Sequence, residues 1–224
     1  MYKKITHNII EEHFDHPMAV EIKRGAGYDT KTTLDLSTRS ASVFKDHVHR
    51  AFTKLDNRIR SYIISAISAG EDLPILEKYL IDDVGRIGYS IKTYFAPEDA
   101  TAFNQSLTTL IVSVGNIVKA IKAGRDTKEL RLTLANSLND FATLLSSINP
   151  SHWEKTSVLS ILSKLADTWI SEAEARYKKE WAIDLAAADE AHNILVAGKP
   201  DGTRGFADIF ANGIIKQFPQ KFIA

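Results

Sequence analysis

The 224-residue chain contains no cysteine. That excludes a disulfide framework, a thiolate zinc site and a cysteine nucleophile. There is no excess charge of either sign, because 28 basic and 28 acidic side chains cancel. A nonspecific nucleic-acid binder needs a net basic face to neutralise phosphates, so no nucleic-acid partner is expected. Long apolar runs are missing too. The most apolar window, Leu107–Val118, carries Thr, Ser and Asn and falls short of the roughly 20 residues of a spanning helix. Met1–Phe14 holds two lysines but no apolar stretch, since His7, Asn8 and Glu11–Glu12 interrupt it. The expectation is a soluble, cytoplasmic protein with no membrane partner.

Proline and glycine are scarce where structure is expected. Only Gly70, Gly85, Gly88, Gly115 and Gly124 lie within Tyr28–Ala197, and the prolines stand apart at 17, 74, 97, 150, 200 and 219. Apolar residues make up 44% and charged residues 25%, which excludes wholesale disorder. The length suits one domain, or one domain with an appendage.

Between those punctuation marks the apolar residues recur at helical spacing. Phe44, Val48, Phe52, Leu55, Ile59, Tyr62 and Ala66 form one stripe, with the charged side chains of that stretch largely off it. Pro74–Phe95 reads as a helix broken near Asp82–Gly88, where two acids and two glycines weaken it. Pro97, Glu98 and Asp99 open the next helix, whose stripe is Phe103, Leu107, Leu110, Val114, Ile117 and Ile121. Asp126 is placed to cap a helix on Leu130, Leu134, Leu138, Phe141, Leu145 and Ile148, ended by Asn149-Pro150. Ser151 and Glu154 read as a capping box for Val158, Leu162, Leu165 and Trp169. Tyr177, Trp181, Leu185, Ala188, Ala191 and Leu195 read as one long helix closed by Gly198 and Pro200. Phe206, Phe210 and Ile214 mark a last short helix before Pro219.

No stretch from 40 to 218 reads better as a strand. The predicted fold is all-α: an up-and-down antiparallel helical bundle over residues 40–224, preceded by an irregular N-terminal arm over 1–39. At least five helices longer than twelve residues are expected between 40 and 197. Leu55, Leu110, Ile117, Phe141, Leu145, Leu165 and Trp181 are expected in the core.

Chemistry-bearing groups are sparse. His7, His13 and His16, with acids nearby, could hold zinc or a similar ion, or they are solvated side chains. His47 and His49 point about 200° apart on a helix and read as surface imidazoles. Asp189 and His192, three apart, resemble half of a di-iron pair, but the second inward pair is missing. The nearest match, Asp46 with His49, lies off its stripe, so a local contact is the plainer reading. Gly198–Gly205 lacks the strand and spacing of a phosphate-binding loop. The three tryptophans read as core or groove lining.

The run Asn212-Gly213-Ile214-Ile215-Lys216-Gln217-Phe218-Pro219, with Lys221-Phe222, resembles the C-terminal signature of a bacterial all-helical family of unknown function. Its Bacillus-type members are loosely labelled glycosyltransferases or acetylglutamate kinases. The likeness continues in Lys119–Gly124, Leu144–Pro150 and Trp181–Asp184 followed by Asp189. It spans roughly residues 50–222, without the N-terminal arm. Both labels imply α/β folds that bind nucleotides across a sheet, and this chain offers no strands for one. The family pattern carries a His in a His-Val-x-Trp-Thr-Arg run on its first helix. It continues with an Asp on the second helix and a His on each of two later ones, a set suited to a metal. The resemblance places Leu55, Arg86, Leu110 and Lys164 at or next to those positions, which implies that this chain has lost the polar centre. An inward cation needs a partner, so Arg86 or Lys164 is expected to pair with Asp140, Asp184 or Asp189.

The functional expectation is a non-catalytic helical bundle for protein interaction or small-ligand binding, with no cofactor and without enzyme activity. Its site would be Arg86, Asp140, Lys164, Asp184, Asp189 and His192 at the bundle centre. Its partner would be a second copy, or a protein reached through the N-terminal arm. The alternative is a metal-binding bundle or metalloenzyme using Asp140, Asp184, Asp189 and His192, or the cluster His7, His13 and His16.

Overall fold

A computed structural model describes residues 39–222. Seven α-helices account for most of them: α1 (Arg39–Ser68), α2 (Leu73–Lys92), α3 (Pro97–Lys122), α4 (Lys128–Ile148), α5 (Lys155–Lys178), α6 (Trp181–His192) and α7 (Phe206–Gln217). A π-helical turn, Asn193–Ala197, continues α6, and a 3-10 turn, Pro219–Lys221, follows α7. There is no strand among the described residues. The five helices α1 to α5 run from 20 to 30 residues, as the apolar periodicity requires.

Cross-helix pairs show the direction of each hairpin. Arg58 and Ser65 of α1 meet Asp83 of α2 and Asp72 just before it, so the partners descend as the α1 positions rise. The same crossing order joins Glu77 to Lys119 and Gly88 to Asn104 between α2 and α3. Phe103 with Phe141 and Ser113 with Ser137 do so for α3 and α4. Helices α1 to α6 each pack on the next, α7 packs on α1 and on the π-helical turn, and α1 also touches α3, α5 and α6. Helix α1 is therefore the central post of the bundle.

The α1 and α3 stripes are buried in full, as are Leu134, Leu138, Phe141 and Leu145 of α4 and Val158, Leu162, Leu165 and Trp169 of α5. Aromatic rings tie α7 to the rest. Phe52 and Phe103 pack on Phe210, and Trp153 stacks on Phe210 at 5.0 Å. A Cβ at Gly213 would lie 2.2 Å from the Trp153 ring nitrogen, so this residue of the C-terminal run has no side chain because the indole occupies its place. Ser40 donates to the Phe222 carbonyl at 2.8 Å, joining the segment after α7 to the start of α1.

Four sequence expectations need correction. Helix α2 is continuous through Asp82–Gly88. Gly88 is there because α3 passes close, a Cβ at that position falling 1.7 Å from Asn104 Oδ1. Asp83 turns inward to Lys54 and Arg58 at 3.4 and 3.2 Å. Helix α5 starts at Lys155, not Ser151, and Glu154 is itself the cap, accepting from the backbone N–H of Thr156 and Ser157 at 2.9 and 2.7 Å. Those donors, with the Thr156 hydroxyl, hold the Glu154 carboxyl down at about 2. Asp126 does accept from the Lys128 N–H at 3.0 Å. The long helix through Tyr177 and Leu195 is two helices, and Trp181 is not core, as the next subsection describes. The N-terminal arm lies outside the described residues.

Candidate functional site

The break between α5 and α6 is local chemistry. Lys179 adopts φ 63°, the left-handed conformation that ends helices. Its N–H donates to the Arg176 carbonyl and that of Glu180 to Ala175. The chain then turns back, so Glu172 of α5 comes beside Asp184 of α6, and Lys164 beside Glu190. A stripe that looks continuous from Tyr177 to Leu195 is thereby rotated out of register.

What α6 buries is the reverse of what an amphipathic helix buries. Asp184 is 1% exposed, while Trp181, Ile183 and Leu185 are 54%, 55% and 58% exposed. The carboxylate sits between two guanidiniums. Arg60 of α1 donates from Nη1 to Asp184 Oδ1 and, at 2.6 Å, to Glu172 Oε1. Arg176 Nη2 stands 3.1 Å from Asp184 Oδ2. Asp184 also lies in the first turn of its helix, where the positive end of the dipole favours an anion.

Two further groups extend this buried polar cluster. His192 Nδ1 lies 2.8 Å from Asp56 Oδ2, across from α6 to α1. Burial raises the Asp56 carboxyl, against the opposing pull of His192. Burial pushes Glu172 up to about 7 from an ordinary 4.5. Arg60 pulls it back only in part, and the carboxylates of Asp184 and Asp56 push the same way as burial. Outside the cluster, the Arg176 guanidinium lies over the Trp181 ring at 5.7 Å. One arginine thus links the buried acid to the exposed indole.

The expected central site does not assemble. Arg86 and Lys164 are each more than half exposed, and pair with Asp83 at 3.6 Å and Glu190 at 2.9 Å, not with Asp140, Asp184 or Asp189. Both stand on outward faces, where the charged head keeps its water. Asp140 and Asp189 are exposed as well. Of the six residues, only Asp184 and His192 join the α1–α5–α6 cluster. The bundle centre is apolar instead: Leu55 and Leu110 line a void of about 20 Å³ with Phe141, Leu165 and Trp169. His49 pairs with Asp208 at 3.0 Å and His47 is exposed. His7, His13 and His16 lie outside the described residues. Among the described residues, no three His, Cys, Asp or Glu side chains converge as a metal cluster. Nor is any helix there long and apolar enough to cross a membrane.

Sequence reasoning missed Asp56, Arg60, Glu172 and Arg176. The available signal was their spacing: Asp56 and Arg60 stand four apart on one helix, Glu172 and Arg176 four apart on another, each placing an acid and a base on one face. The composition of α6 was a second signal, because Trp-Ala-Ile-Asp-Leu-Ala-Ala-Ala has no single apolar side.

No family model, curated protein or solved structure matches this chain.

Proposed function

We propose that this bundle is a non-catalytic interaction protein that docks a partner on the α5–α6 corner. One observation carries the reading: α6 spends its inward position on Asp184 and turns Trp181, Ile183 and Leu185 to solvent. Single exposed apolar residues need no explanation, but neighbouring ones mark interaction surfaces, and Trp181 and Leu185, four residues apart, lie on one side of α6. Tyr177, near the end of α5, is exposed as well. Trp, Tyr and Arg are the side chains that dominate binding energy at interfaces, and here Arg176 lies over the exposed Trp181 ring. The cluster beneath supplies rigidity, because an ionic anchor holds α6 without consuming its apolar side chains. A reading based on an interior small-molecule pocket has little room, since the central void of about 20 Å³ compares with roughly 300–1,000 Å³ for ligand pockets.

Tryptophan quenching tests the reading. Trp153 and Trp169 are buried and Trp181 is exposed, so acrylamide should quench one accessible class in dilute protein. Trp181→Phe should remove that class. A Trp181 that stays protected at high dilution would show the face to be covered by the chain itself, and the docking reading would fall.

A further inference from the structure

We infer that the outward trough of α1 is a binding site for a small soluble molecule carrying a diphosphate group. The site lies apart from the α5–α6 corner and does not depend on docking there. Its floor follows from the contacts that hold α1 on either side. Arg58 reaches Asp83 of α2, and Arg60 reaches Asp184 of α6. At 100° per residue, Arg50, Thr53, Lys54, Asn57 and Ser61 fall between those two directions on the α1 surface. With Arg58 they line a depression of about 340 Å³, within the roughly 300–1,000 Å³ of small-molecule sites. Three of the six are cations and three are hydroxyl or amide side chains, and every one can donate a hydrogen bond. Among the described residues, no acid or apolar side chain joins them in the lining. The chain as a whole balances its charges, so this surplus of donors is local.

The cations are costly to keep there, and they are held in place. Arg50, Lys54 and Arg58 stand four apart on one helix, a spacing at which like charges destabilise it. Asp83, a carboxylate only 2% exposed, answers part of this charge. Lys54, Arg58 and Arg86 share it at 3.4, 3.2 and 3.6 Å, three cations against one acid before Arg50 is counted. Arg58 is fixed further by lying over the Tyr79 ring at 4.9 Å. Arg50 turns its Nε to the Asp46 carbonyl at 3.2 Å, and its two terminal nitrogens suit a bidentate oxyanion. Successive cations rise about 6 Å along the helix, which favours two linked phosphoryl groups over one. Arg50 and Lys54 would each take a phosphoryl group, with Thr53 and Asn57 donating from the side. The next depression along α1 adds Asp46 and Asp208 to Lys45 and His49, so the one-signed lining ends at Arg50.

Titration calorimetry and thermal melting test the site, with pyrophosphate as the probe. Pyrophosphate should bind the parent and raise its melting temperature beyond the effect of sodium chloride at the same ionic strength. Arg50→Gln and Lys54→Gln should each weaken binding by about tenfold. Circular dichroism of both should match the parent, since both positions are exposed. Lys128→Gln, which removes an exposed cation from α4, should leave binding unchanged. Inorganic phosphate should bind more weakly than pyrophosphate, and equal affinities would overturn the diphosphate assignment. No binding by the parent, a melting shift that sodium chloride reproduces, or binding that survives both α1 substitutions together overturns the site. An equal loss in Lys128→Gln overturns it too, because the anion would then be answering the field of the whole protein. Vesicles containing phosphatidylinositol phosphates offer the same groups on a lipid. Co-sedimentation with them that pyrophosphate does not compete away would overturn the soluble ligand in favour of a lipid headgroup.

Discussion

Arg60 of α1 donates to Asp184 of α6 across 124 positions of sequence. This ion pair, shared with Glu172 and flanked by Arg176, is what fastens α6 to the bundle in place of the apolar face such a helix ordinarily presents.

Removing only the acid should therefore be costly. Asp184→Ala leaves two guanidiniums with a lost partner, and breaking a buried pair from one side costs about 3–5 kcal/mol. Arg60 keeps 23% of its side-chain surface exposed, which places the expected loss at the low end. Urea unfolding measures it. A loss below about 1 kcal/mol, the value of an exposed pair, would mean that Asp184 is not an anchor.

Glu172 should give the protein a pH-dependent stability. Its carboxyl rises from 4.5 to about 7 on folding, mainly through burial. Between those values the folded chain binds more protons at this site than the unfolded chain, so stability falls as pH rises. Above about pH 7 the contribution levels off. Glu172→Gln carries no proton to lose, and its melting temperature should decline less than the parent's across that window. Parallel curves for parent and variant would show that Glu172 titrates normally.

The core and α6 should respond oppositely to truncation. Leu110 lines the central void and is buried, so Leu110→Ala should cost about 2–5 kcal/mol. Leu185→Ala, on the exposed face, should stay within about 0.5 kcal/mol in dilute protein. Equal losses at the two sites would contradict the inverted polarity of α6.

Gly213→Ala tests the packing of the C-terminal run. The new Cβ would fall 2.2 Å from the Trp153 ring nitrogen, displacing an indole that is stacked on Phe210 and donates to the Ile209 carbonyl at 3.3 Å. A loss of about 1–3 kcal/mol is expected for such overpacking, together with altered near-ultraviolet circular dichroism. An unchanged spectrum and melting temperature would argue against the close approach.

Helix identity was legible wherever one stripe faced one core. The spacing through Phe44 and Ala66, or Phe103 and Ile121, leaves a single way to bury the apolar side, and the structure buries both. Gly88 could not be read the same way. A helix-weakening residue and a residue making room for Asn104 look identical until α3 is in place. Arg86 and Lys164 face outward although the resemblance puts them at a polar centre, because likeness of sequence carries no facing direction. The rotation of the helix supplies that direction, and it turns both cations to water.

Composition and periodicity alone determined the all-α class, the positions of five long helices and most of the apolar core, because those follow from local spacing and from the drive to bury apolar surface. Tertiary structure decided the polarity of α6. Tyr177, Trp181 and Leu185 continue a plausible stripe, and whether they point inward depends on a left-handed turn at Lys179 and on where Arg60 and Arg176 wait. Burying Asp184 becomes favourable only once guanidiniums from two other helices surround it, and no local reading contains that information. The exposure of Trp181, Ile183 and Leu185 is the consequence of that long-range pairing.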